Sequence, residues 1–126
     1  IKDSKIKDFT FRYQTIKNLP SKELRTIIDS GKKEIKKGIL IAFSVLGGKV
    51  GVSVGVTKDL TEKFDAVELV KIAASTLGGK GGGGRKDFAQ AGGIDEAKIE
   101  EAYKAVLKKI SWVSFLGYRL LLLKID

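Results

Sequence analysis

The chain has 126 residues, 43% of them hydrophobic, which suffices for one core and leaves too little for a second. With neither His nor Cys it lacks the usual zinc ligands, the commonest general base and any disulfide framework, so no metal site and no catalytic residue are expected. Twenty-four Lys and Arg against fifteen Asp and Glu give a net charge of +9, which favours polyanionic partners, although a lysine-rich surface can also serve solubility alone.

Phe9, Phe11 and Tyr13 alternate with Thr10, Arg12 and Gln14, and this period of two predicts a strand over 9–16. Pro20 and Ser21 then predict a helix start with Ser21 as N-cap. Leu24, Ile27, Ile28, Gly31 and Ile35 follow on one face, and Gly38 ends the helix. Gly31 inside that stripe lets helix and sheet approach closely, at some cost in helix propensity. Lys32, Lys33, Lys36 and Lys37 crowd the last turns, where they suit the helix dipole; they are second-rank candidates for a polyanion contact.

Residues 39–45 form a nearly unbroken apolar run bounded by glycines, as expected of a central strand buried on both faces. Val50, Val52, Val54 and Val56 then alternate with Gly51, Ser53 and Gly55, so the two runs read as a hairpin whose small-residue face is covered by a closely packed helix. Asp65 with Glu68 makes an Asp version of the capping box, opening a helix with Ala66, Leu69, Val70, Ala73 and Leu77 inward and Gly78 as its stop. A last helix is predicted over 96–110, capped by Asp95, with Ile99, Tyr103, Val106 and Ile110 inward and Lys98, Lys104, Lys108 and Lys109 outward. The order implies an α/β domain, one mixed β-sheet with packed helices.

Between the last two helices, residues 78–93 read GGKGGGGRKDFAQAGG. A flexible linker is the ordinary fate of such a run, but Phe88, Ala89, Ala91, Asp87 and Gln90 have no place in one. Glycines bare their backbone N–H groups, and consecutive amides in turns bind anions; Lys80, Arg85 and Lys86 add charge, and arginine offers a planar fork to phosphate or a base edge. The candidate nucleic-acid contacts are therefore Gly79, Lys80, Gly81, Gly82, Gly83, Gly84, Arg85, Lys86, Asp87 and Gln90. No GK[ST] follows the glycines and no strand leads directly into a helix here, so neither a Walker loop nor a dinucleotide fingerprint is present.

The glycine run 78–84, Arg85, Asp87 and the AQAGG of 89–93 together resemble the signature of the C-terminal domain of alanyl-tRNA synthetases, C-Ala. The likeness continues upstream through the 22–37 helix, GVSVGVTKDL and the helix at Asp65, covering residues 9 to about 110. It implies a DHH-associated α/β fold that contacts the outer corner of the tRNA, where the D and T loops meet, by shape more than sequence. Alanine activation with ATP and hydrolysis of mischarged tRNA would lie in other parts of a parent synthetase. ATP, Mg and Zn would belong to those parts, with no cofactor in this chain. Its partners would be alanine tRNA and the rest of the parent, with no membrane; self-association is not predicted. A free-standing alanyl-tRNA editing factor carries a similar domain. A DHH-family phosphoesterase would place a histidine where Arg85 stands.

Two departures accompany the likeness. Lys86 stands where many relatives have proline, which is expected to loosen the loop. The tail 111–126, with Trp112, Phe115, Tyr118 and Leu120 to Leu123, has no counterpart and is expected to pack on the same domain. Residues 1–8 are expected to be the stub of a preceding helical arm or linker. With Ile1 first and no Met, the chain is expected to be a piece of a longer protein. Lacking any signal-like or spanning segment, it is expected to be cytoplasmic.

Overall fold

The computed structural model describes residues 1–79 and 81–125, with side chains described as far as Phe115 in the last helix. Six strands, β1 (Lys2–Ile6), β2 (Phe9–Lys17), β3 (Gly38–Leu46), β4 (Lys49–Val56), β5 (Gly83–Gly84) and β6 (Phe88–Gly93), form one sheet in the order β1-β2-β3-β4-β6-β5. Three helices, α1 (Leu24–Ile35), α2 (Ala66–Thr76) and α3 (Ile99–Ile125), pack on it. β2 and β3 are parallel, with α1 supplying the crossover that such a pair needs, and the other pairs are antiparallel. The sheet is thus mixed, as expected.

Alternation along the strands divides the interior in two. Phe11, Ile39, Ile41, Phe43, Val52 and Val54 point to one face and pack with Leu69, Val70, Ala73, Val106 and Ile110 of α2 and α3. Leu40, Ala42 and Phe88 point to the other and meet Leu24 and Ile28 of α1. Gly31 faces this second layer, and a Cβ there would lie 2.3 Å from Leu40 Cδ2, which is why the stripe of α1 holds a glycine. On β2, Arg12, 8% exposed, donates to Asp3 through Nε (2.8 Å) and Nη2 (3.1 Å) and to Glu34 through Nη1 (2.7 Å), tying β1, β2 and α1 together.

The helix caps follow the sequence in two cases out of three. Asp65 accepts from Val67 N and Asp95 from Ala97 N. Glu68 does not close a capping box; it pairs with Lys109 of α3 at 3.2 Å. Ser21 caps nothing. It opens a short 3-10 turn, Ser21–Glu23, and α1 begins only at Leu24.

The two chain ends take different forms. Residues 2–6 are no helical stub but β1, paired with β2 from Lys2↔Tyr13 to Ile6↔Phe9. β2 offers this segment a ready ladder, and Arg12 gives Asp3 a partner. At the other end α3 runs on to Ile125, and of the described tail side chains Val113 packs on the larger core while Trp112 and Phe115 remain 58% and 46% exposed. The start of the tail is thus helical, continuing α3 beyond the turn that carries Ile110. The expectation for Tyr118 and Leu120 to Leu123 falls outside the described side chains. Among the described residues no helix is long and apolar enough to cross a membrane.

Candidate nucleic-acid interface

The glycine-rich segment is half sheet. Phe88–Gly93 forms β6, hydrogen-bonded to β4 from Gly55↔Phe88 to Val50↔Gly93, where the sequence had suggested a loop throughout. Gly83 and Gly84 pair with Gln90 and Ala89, so the glycine run is not one continuous nest of bare amides. Gly81, Gly82 and Gly84 have φ of 79°, 110° and 149°, a region L side chains avoid. Gly79 meets a different demand: a Cβ on it would lie 1.9 Å from Gly92 O, so two main chains touch there.

Arg85, Lys86 and Asp87 form the tip of the β5–β6 hairpin, closed by Arg85 N donating to Phe88 O at 2.7 Å. The tip is pinned from both sides. Lys86 O accepts from Ala66 N at the start of α2 (2.9 Å), and Asp87 O accepts from Val56 N (2.9 Å) and from Lys32 Nζ (2.7 Å). At Lys86 the bond that holds the turn is made by the carbonyl, whatever the side chain. With the carbonyls turned inward, the side chains face out: Arg85 is 68% exposed and only loosely paired with Asp87 at 3.6 Å. Gln90 is exposed on β6, and Lys80 lies outside the described residues.

The second-rank lysines separate. Lys32 reaches the tip, and burial pushes its ammonium pKa down, as do Arg85 and Arg25, against the pull of Asp87 and Asp29. Lys33 and Lys36 are exposed farther along, Lys36 with φ 65° as the C-cap of α1. Lys37 is committed elsewhere, to Asp8 at 2.6 Å; that bond holds the Asp8 carboxyl below its ordinary range and raises Lys37. One cation was missed by sequence reasoning. The Arg25 guanidinium on α1 lies 4.9 Å from the Phe88 ring centroid, and only the docking of α1 on β6 brings it to this rim. Arg25, Lys32, Arg85 and Lys86 thus collect where α1 meets the hairpin, an arrangement suited to phosphate oxygens. Among the described residues no group of His, Cys, Asp and Glu could hold a metal ion.

Residues 8–111 match the DHHA1 domain family. This chain belongs to it. The C-Ala domain of Aquifex aeolicus alanyl-tRNA synthetase superposes with a TM-score of 0.82 at 33% identity, over 88% of this chain and 99% of that one, and shares the fold of this DHHA1 domain. Alanine–tRNA ligases of Hyphomonas neptunium and Bradyrhizobium diazoefficiens are 60% identical over 85 residues and 47% identical over 105, or 68% and 82% of this chain. The chain spans only 10% and 12% of their lengths. The family match stops at residue 111, just before the exposed aromatic residues of α3.

Proposed function

We propose that this DHHA1 domain is the C-terminal, tRNA-binding domain of an alanine–tRNA ligase, contacting the outer corner of the tRNA through the β5–β6 hairpin. The observation that carries the reading is the pinned tip. A turn held by α1, α2 and β4 presents Arg85 and Lys86 to solvent beside Lys32 and Arg25, so the main chain that carries the tip cations is held before any ligand arrives. Binding then has side chains to order but little main chain, which favours affinity. The parent would supply ATP, magnesium and zinc chemistry in other domains, in the cytoplasm, and this domain would hold one tRNA for both charging and editing.

Mobility shift of intact alanine tRNA against its acceptor-stem minihelix tests the corner contact. The intact molecule alone has a corner formed by D and T loops, and it alone is expected to bind at moderate salt. Equal retention of the minihelix would overturn the reading.

A further inference from the structure

We propose that a cleft on the α1 side of the sheet, at the end of β6 remote from the hairpin tip, is a slot for one unstacked nucleobase of a bound RNA. This rests on the RNA-binding reading above and adds a contact of different chemistry, ring against backbone rather than cation against phosphate.

The cleft has a volume of about 680 Å3. Its floor is main chain, for β4 and β6 lie side by side with Gly51 opposite Gly92 and Ser53 opposite Gln90, all four on the face toward α1. Ser21 covers Gly51, since a Cβ there would lie 2.5 Å from Ser21 Cβ. Gly92 is uncovered: beyond its chain neighbours, a Cβ built on it would come near only Val50 O, at 3.6 Å. A flat ring can therefore lie on the strand at Gly92, where any side chain would stand in its way. Leu46 and Ile94 wall the cleft and are 45% and 75% exposed, so two large apolar side chains stand in solvent at one opening.

Polar groups are placed for a ring edge and a backbone. The exposed Gln90 amide offers both donor and acceptor. Ser53 Oγ, fully buried and without a hydrogen-bond partner among the described residues, lies in the lining. Lys22 and Lys49 line the cleft too, and among the described residues no carboxylate does. Cations without counter-charges around an apolar, glycine-floored slot suit a nucleotide, whose ring is apolar on its faces and whose flanking phosphates are anionic. An acidic or neutral peptide would leave the flat floor unused.

Gly92→Val is the deciding variant. Gly92 has no positive φ, valine suits a strand, and the new side chain fills the slot without removing a charge. Thermal melting should stay within a few degrees of wild type, while affinity of the 126-residue chain for tRNA falls about tenfold, the order of one lost base stack, with an unchanged dependence on salt. Gln90→Ala, at an exposed position, should weaken binding less. In parallel, adenosine and uridine monophosphates titrated into 15N-labelled wild type should shift the amides of Gly51, Gln90 and Gly92, and these shifts should vanish in Gly92→Val. Wild-type tRNA affinity in a folded Gly92→Val, or nucleotide shifts confined to Arg85, Lys86 and Asp87, would overturn the slot. Absence of tRNA binding by wild type, with nucleotide shifts at Gly92 retained, would sink the tRNA reading and leave the slot standing.

Discussion

Replacing Arg85 and Lys86 together by alanine removes two unit charges from the hairpin tip, and the structure sets what this should do. Stability should scarcely change. The Arg85–Asp87 contact is a 3.6 Å pair between exposed groups, worth on the order of 0–1 kcal/mol, and the pins of the tip are main-chain bonds to Lys86 O and Asp87 O that alanine preserves. Binding should change in a characteristic way. Each phosphate neutralised contributes ~0.7–0.9 to the slope of log K against log salt, so loss of two cations flattens it by about 1.6. Between roughly 50 and roughly 200 mM salt that difference amounts to about tenfold, so the variant's deficit should be about ten times larger at the lower concentration. Fluorescence anisotropy with labelled tRNA over a salt series measures both slopes. Lys104→Ala with Lys108→Ala is the control, an equal change of charge on α3, across the sheet from α1, and should leave the slope alone. If the tip variant kept the wild-type slope, or if the control flattened it equally, phosphate contact at the hairpin would be refuted.

Two further tests address the scaffold. Gly31→Ala gains helix propensity but drives a Cβ to 2.3 Å from the buried Leu40 Cδ2, so urea denaturation should show a net loss of ~1–2 kcal/mol; a gain would mean that α1 is not closely packed here. Hydrogen bonds from Arg12 hold the Asp3 carboxyl below its ordinary 3.8 against the smaller opposing effect of burial. A depressed folded pKa contributes stability that is present above 3.8 and lost as pH falls through the lower folded value. Asp3→Asn should therefore melt below wild type near neutral pH, with the gap closing in acid, and a gap constant with pH would refute the linkage.

Local pattern carried much of this architecture. The β3–β4 hairpin was legible because an apolar run and a two-residue valine alternation are intrinsic to the strands. The α2 stripe and the Asp65 and Asp95 caps were legible because their partners lie within a few residues. The candidate cations at 85 and 86 were visible as chemistry, but their fixed presentation was not, since it depends on Ala66, Val56 and Lys32, which are remote in sequence. The same is true of Arg25, which joins the rim only through Phe88.

The chain by itself determined the class of fold, the excess of positive charge and the absence of histidine and cysteine chemistry, because composition and short-range periodicity are properties of neighbouring residues. Tertiary structure alone decided that KDSKI and FAQAGG are strands, that Trp112 stands in solvent, and that Gly92 lies open while Gly51 is covered. The physical reason is that a strand is completed by hydrogen bonds to another strand, and a side chain is buried by whatever element docks over it. Neither partner can be read from the residues that receive it.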